Sequence, residues 1–268
     1  MRTPRLAGLG LVSMAAVALA VAGCDNNTAA TPGASASVAP STGTSSSAAD
    51  PAAVAALSAA TAKLDQTSFK ITVTSGSGFK LTGAIDAPNG TGTADVNATG
   101  PNASVNVKTL LLGQDLYVQV PGLTKAGTWT HVDGSRLPAD ASIGLRPGQI
   151  DPVNTASLLS STTDAHSTGT NSYAGTLDLT KAAGLAGVSK VTIDGYGAAA
   201  SQVPFTAGLD DQGRLSELTI KLPAANGQQA EPIDALYTDY GAPVSVQRPT
   251  AAEITEAPAS IYQALGGK

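Results

Sequence analysis

Apolar and polar residues alternate through much of the chain from residue 69 onward, which is typical of strands with one buried face. Phe69, Ile71 and Val73 alternate with polar residues, and the pattern resumes at Phe79 after Gly76-Ser-Gly. Tight turns separate most successive runs, so we expect neighbouring strands to pair antiparallel. The pattern predicts a sheet of roughly ten strands, drawn from the runs 69–74, 79–85, 91–99, 103–112, 116–120, 128–132, 173–179, 191–194, 203–209, 215–222, 236–240 and 244–246.

Helical periodicity precedes the first strand. Asp50 is a good N-cap, and Pro51 suits the first helical position. The spacing predicts an amphipathic helix over 51–65. The residues that recur at helical spacing are Val54, Leu57, Thr61 and Leu64.

Three later segments interrupt or follow the strands. Asp151-Pro152 repeats the helix start and predicts a short helix over 153–161, whereas 181–187 favours only a weak helical turn. Prolines and glycines within 137–150 predict an irregular crossing segment. Thr250 and Glu253 have capping-box spacing and predict a last helix, bent or split at Pro258 and carrying Ile254, Ile261 and Leu265. We therefore predict one α+β domain, 51–268, with a large antiparallel sheet and helices on one face.

The first 24 residues carry a different signal. Arg2 and Arg5 precede the apolar run 6–22, and the run ends in the only cysteine of the chain, Cys24. This pattern is typical of a secretion signal, and the run is too short and too poor in large side chains for a permanent membrane span. Residues 21–24, Val-Ala-Gly-Cys, resemble the bacterial lipobox. This resemblance implies cleavage after residue 23 and a diacylglyceryl cysteine, with chains such as palmitate, at Cys24.

Residues 24–50 join this anchor to the domain. They are mostly Ser, Thr, Ala, Gly and Pro, a composition that predicts a disordered tether with a reach of about 25 to 30 Å. We expect the domain to stand on the extracytoplasmic face of the cell membrane, anchored through lipid.

Charge and cysteine content narrow the function. Without Arg2 and Arg5, 13 basic residues face 20 acidic ones, a net charge of −7. Such a chain is a poor partner for nucleic acid. With Cys24 lipidated, the chain has no thiol pair for a disulfide, so packing alone must hold the domain together.

The sequence gives little support for catalysis. His131 is expected at the surface or in a turn, and His166 in a solvated loop. Asp210 and Asp211 are adjacent in a predicted hairpin turn, so their side chains diverge. The chain has no Gly-x-Ser-x-Gly motif and no cluster with metal-ligand spacing. We predict no enzyme, no cofactor and no metal. Tyr117 and Trp129 either lie at the rim of the sheet or anchor core packing.

A series of loose motifs resembles one protein family. In chain order they are Gly113-Gln-Asp-Leu-Tyr-Val, Gly127-Thr-Trp-Thr-His-Val-Asp, Asp151-Pro before Leu158-Leu159, Val203-Pro-Phe, Asp211-Gln-Gly-Arg-Leu, and Asp239-Tyr-Gly-Ala-Pro-Val before Pro249. Over about residues 50–250 the chain is similar to the actinobacterial LppX/LprG-type lipoproteins. The resemblance implies a half-barrel sheet, with helices across its concave face as in the LolA/LolB carriers. It also implies an apolar cavity for lipid or lipoglycan acyl chains in the cell envelope.

An apolar cavity is also required on physical grounds if the protein carries lipid. Exposing the acyl chains of a diacyl lipid, with about 30 methylenes, to water costs over about 20 kcal/mol of free energy. Either the inward side chains line such a cavity, or they pack as a closed core and the lipoprotein is a scaffold for an envelope protein or transporter. The cavity candidates are Phe69, Ile71, Val73, Phe79, Leu81, Leu116, Val118, Val120, Val203, Phe205 and Leu209.

Overall fold

A computed structural model describes residues 49–100, 104–121, 124–137, 145, 150–181, 190–224 and 230–264. All of them belong to one compact unit, Ser45–Lys268. The predicted signal peptide, Cys24 and nearly all of the tether lie outside the described residues. So do most of the predicted crossing segment, the predicted turn at 182–187 and Leu265.

Twelve strands and four α-helices make up the described part of the unit. The helices are α1 (Pro51–Ala62), α2 (Thr155–Ser160), α3 (Lys190–Gly195) and α4 (Ala259–Ala264). The strands are β1 (Ser68–Ser75), β2 (Phe79–Asp86), β3 (Thr91–Thr99), β4 (Ser104–Leu112), β5 (Asp115–Gln119), β6 (Trp129–Asp133), β7 (His166–Gly169), β8 (Ser172–Leu177), β9 (Val203–Leu209), β10 (Leu215–Ile220), β11 (Ile233–Thr238) and β12 (Ile254–Glu256).

All twelve strands form one open sheet in the order β12-β6-β5-β4-β3-β2-β1-β11-β10-β9-β8-β7. Every pair is antiparallel except β12 with β6, which is parallel. The predicted α+β class with a large, mainly antiparallel sheet is therefore confirmed. Strands β1 and β11 are far apart in sequence, and their pairing joins the two halves of the sheet.

Helix α1 begins as the sequence predicts. The Asp50 carboxylate accepts the Ala52 N–H at 2.9 Å, and Pro51 is the first helical residue. Leu57 and Leu64 are buried in the same apolar cluster as the strand residues, whereas Val54 is 38% exposed. The cluster also includes Ala53, so small side chains form part of the buried side of α1.

Three local predictions are wrong. Residues 191–194 belong to α3, because Ile193 and Tyr196 are buried at helical spacing. Strand β7, including His166, occupies a stretch that was predicted as a loop, because pairing with β8 outweighs its weak strand propensity. Residues 244–246 form no strand, and they follow β11 toward the opposite edge of the sheet.

The predicted last helix is also only partly right. Thr250 and Glu253 do form a capping box, but it opens a single 3-10 turn. The chain then extends as β12 and re-enters a helix only at Ala259, after Pro258. Strand pairing with β6 thus replaces the first helical turns.

Candidate functional site

Ten of the eleven cavity candidates share one side of the sheet, which we call the apolar face, whereas Val120 follows the end of β5. Cross-strand pairs such as Ile71 with Tyr237 and Phe69 with Ile85 set this alignment. Seven candidates are buried: Phe69, Ile71, Val73, Leu81, Leu116, Val203 and Phe205. Four are half-buried: Phe79, Val118, Val120 and Leu209.

Burial on the apolar face changes along the strands. At one end Ile85, Leu111 and Leu116 are 0% exposed. At the other end of the same strands Phe79 is half-buried and Val105 is 46% exposed. The apolar face is therefore continuous from a sealed end to an end that solvent reaches.

Close packing fills the sealed end. A Cβ atom at Gly83 would lie 3.1 Å from the Ile71 Cγ2 atom, and one at Gly92 would lie 3.2 Å from the Ile85 Cδ1 atom. Glycine fits these two positions because isoleucine side chains already occupy the space that a larger residue would need. Space for a ligand is thus restricted to positions nearer the exposed end.

A chain of hydrogen bonds joins α2 to the apolar face. The Asp151 carboxylate accepts the Val153 N–H at 3.1 Å and the Thr155 hydroxyl at 3.1 Å. The Thr155 Oγ1 and the Tyr237 hydroxyl are 2.7 Å apart, and because Thr155 donates to Asp151, Tyr237 donates to Thr155. Burial raises the pKa of Asp151 and holds the pKa of Tyr237 well above its ordinary value.

The opposite side of the sheet, the polar face, carries a second group of side chains. Tyr117 is 1% exposed, although it lies outside the apolar core cluster. The Arg248 guanidinium donates to the Tyr117 hydroxyl and to Asp115. Tyr117 is therefore buried, as the packing alternative predicts, but on the polar face beneath Arg248 and not in the apolar cluster.

Trp129 lies on this polar face and lines an open groove of about 480 Å³. Threonine side chains from β2 and β3 line the same groove, together with Lys108 of β4. The groove is separate from the apolar face, so we do not assign it to the acyl chains.

His131 is the centre of the polar-face group. Its Nε2 atom is 2.8 Å from Asp115 Oδ1, and its Nδ1 atom is 2.9 Å from Glu256 Oε2. Its side chain is only 17% exposed, so the prediction of a surface or turn histidine is wrong. Burial acts to lower the pKa of His131, but the hydrogen bonds to Glu256 and Asp115 outweigh it and raise the pKa.

Sequence reasoning missed this group because its members are far apart along the chain. Glu256 is 125 residues from His131, and only the parallel pairing of β12 with β6 brings them together. The alternation around Trp129 and His131 gave partial information, because it places both side chains on the same face of β6 without indicating their partners.

The two histidines lie near opposite edges of the sheet. The second histidine, His166, makes a 2.9 Å hydrogen bond from its Nδ1 atom to the Asp164 carbonyl. Within the described ranges, no group of three or more His, Cys, Asp and Glu residues could hold a metal ion. None of the helices in those ranges is long and apolar enough to cross a membrane.

No protein-family model matches the chain, and no curated protein matches it significantly.

Proposed function

We propose that the chain is a membrane-anchored lipoprotein of the LppX/LprG type that binds or transfers lipid or lipoglycan acyl chains without catalysis. In this proposal the sheet curves into a half-barrel, and the helices cover its concave, apolar face. The acyl chains lie between the two layers. The support is the common orientation of ten of the eleven candidate side chains, all but Val120, together with their membership in or contact with one apolar cluster.

One observation carries the proposal. The apolar face runs from fully buried positions such as Leu116 to Val105, which is 46% exposed. A lipid tail needs a dry surface that it can reach from outside, because each exposed methylene costs about 0.8 kcal/mol in water. An apolar face with one accessible end meets both requirements.

The anchor gives the binding face its location. We propose that Cys24 carries the diacylglyceryl group and that 25–50 tether the domain to the extracytoplasmic face of the cell membrane. A reach of about 25 to 30 Å keeps the apolar face close to its lipid source.

The alternative is an envelope scaffold with a closed core that binds a protein partner. Its support is the tight packing at Gly83 and Gly92, where isoleucine side chains fill the space above the strands. If that packing continues to the Val105 end, the inward side chains stabilise the fold and carry no ligand.

Lipid analysis distinguishes the two functions. We expect residues 24–268 with Cys24→Ser, purified without detergent, to carry co-purifying lipid and to take up a fluorescent fatty acid. Absence of both would refute the carrier function and favour the scaffold.

A pair of variants on one strand tests where the tail binds. Val118→Trp adds a large ring on the apolar face of β5, and Gln119→Trp adds the same ring on the polar face. We expect Val118→Trp to weaken uptake by about tenfold or more, a loss of at least about 1.4 kcal/mol, and Gln119→Trp to leave uptake unchanged. Circular dichroism checks that both variants fold. Equal uptake by the two folded variants would remove Val118 from the binding site.

A further inference from the structure

The C-terminal segment crosses a large part of the sheet. Strand β11 lies beside β1, whereas β12 lies beyond β6 at the edge, so the segment between them bypasses six strands. It contacts β1 through the Gly241 N–H, which donates to the Ser68 carbonyl at 2.8 Å. It ends at β6, where the Ala257 N–H donates to the His131 carbonyl at 2.8 Å. The last strand of the chain, β12, therefore covers the edge of β6.

The pairing of β12 with β6 covers only three residues, so backbone bonds alone hold it weakly. The side chain of His131 adds a second link. Its two ring nitrogens contact Asp115 of β5 at 2.8 Å and Glu256 of β12 at 2.9 Å. One imidazole thus joins β12 to two strands of the sheet.

This double contact depends on the charge of the ring. A neutral imidazole has one N–H and one lone pair, whereas the imidazolium ion has two N–H donors. If His131 is neutral, one of the two carboxylates faces a lone pair and loses its hydrogen bond. Only the imidazolium satisfies Asp115 and Glu256 together.

The charged groups around His131 also favour its imidazolium form. The groups that face His131 are Asp115 and Tyr117 on β5, Glu256 on β12, Arg248 in the C-terminal segment and Asp133 on its own strand. Arg248 binds the outer oxygen of Asp115, which leaves the other oxygen for His131. The three carboxylates outnumber the single guanidinium, so a positive ring at His131 offsets part of their excess negative charge.

We propose that His131 is a protonation-dependent latch that holds the C-terminal strand β12 on the edge of the sheet. The raised pKa of His131 sets the direction. A group with a raised pKa stabilises the folded contact below its unfolded pKa, and this stabilisation is lost as the pH rises through the folded pKa. The latch is closed in acid and opens toward alkaline pH.

Opening affects more than β12. Tyr262 of α4 follows directly, and its hydroxyl accepts the Asp133 N–H at 2.9 Å. The Arg136 guanidinium lies 3.7 Å from the centre of the Tyr262 ring. Release of β12 therefore loosens the turn that leads out of β6.

An NMR titration tests the latch on residues 24–268 with Cys24→Ser. The chain has two histidines, so a His166→Gln background leaves His131 as the only imidazole. We expect its ring signals to titrate above the ordinary histidine pKa of about 6.5. A midpoint at or below that value would overturn the proposal.

Hydrogen exchange in the same background measures the opening. We expect protection of the Ala257 amide, after correction for the intrinsic rate, to fall about three- to tenfold as the pH rises through the midpoint. The Val73 amide, on the central strand β1, should show no such step. A constant protection of Ala257 across the midpoint would refute the latch.

Two variants separate the latch from a purely structural role. His131→Gln should lower Ala257 protection below the midpoint, to about the level that the wild type shows above it, and so remove the step. Glu256→Gln should keep the fold and weaken the step, and it serves if His131→Gln does not fold. A step of unchanged size in either folded variant would show that His131 does not control β12.

Discussion

The hydrogen-bond chain from α2 to β11 provides a quantitative test of how the helix is held on the sheet. Thr155 is 0% exposed, and it links the Asp151 carboxylate to the Tyr237 hydroxyl. Thr155→Val removes both bonds and leaves the buried Tyr237 hydroxyl without a hydrogen-bond partner, whereas Asp151 still accepts backbone N–H groups such as that of Val153. We expect the free energy of unfolding to fall by about 2 to 4 kcal/mol.

Tyr237→Phe removes the other end of the same chain. Thr155 keeps its bond to Asp151, so we expect a smaller cost of about 1 kcal/mol. In the double variant the tyrosine hydroxyl is no longer stranded, and its cost should therefore be about 1 kcal/mol less than the sum of the single costs.

Urea denaturation followed by the fluorescence of Trp129, the only tryptophan, measures all four proteins of the cycle. Thr155→Ser is the control, because it keeps the hydroxyl and loses one methyl group, at about 1 kcal/mol or less. Costs that add within about 0.3 to 0.5 kcal/mol would refute a direct Thr155–Tyr237 bond.

Two further predictions concern the strands and a turn. Gly83→Ala should destabilise the fold by about 1 to 3 kcal/mol, because its Cβ would lie 3.1 Å from Ile71 Cγ2. Gly195→Ala is the control and should change the stability little, because no atom lies within 4 Å of its Cβ position. Similar melting temperatures for the two variants would contradict the packing. Asp210→Ala should cost about 1 to 2 kcal/mol at pH 7, because the carboxylate accepts the Arg214 N–H at 2.9 Å. Burial acts to raise the pKa of Asp210, but its bonds to Arg214 outweigh this and lower the pKa, so the wild-type advantage should be lost as the pH falls through that pKa. An advantage in urea denaturation that persists at the lowest pH would refute this role of Asp210.

Local patterns predicted the first half of the sheet well. The hairpin of β1 and β2, and strands β3 to β6, have the expected bounds within about two residues, the usual uncertainty at element ends. Each of these strands carries its own alternation and its own turn, as at Gly76 and Gly113, which both have positive φ angles. Neighbouring strands also pair with each other, so the information needed was local.

Prediction failed where distant pairing decides the structure. Glu256 became part of β12 only because it pairs with β6, and nothing within ten residues of Glu256 signals that partner. The His131 group was missed for the same reason, since it exists only once β12 has reached β6. His166 is a different case, because it pairs with Ala174 of the nearby strand β8, and its Ser/Thr/Gly surroundings favoured a loop instead.

The apolar face was predictable as a face, but its variation in burial was not. Alternation assigns Phe79 and Phe69 to the same side equally well. Only the packed structure separates Phe69, which is 2% exposed, from the half-buried Phe79.

The lengths of the two outermost strands have a further consequence. The sheet is open, yet it ends in β12, with three residues, and β7, with four. Open sheet edges invite the strands of other molecules, and proteins limit this association with very short terminal strands. If Cys24 confines many copies to one membrane, their crowding makes such association a constant hazard. Two brief terminal strands would let the copies remain separate there.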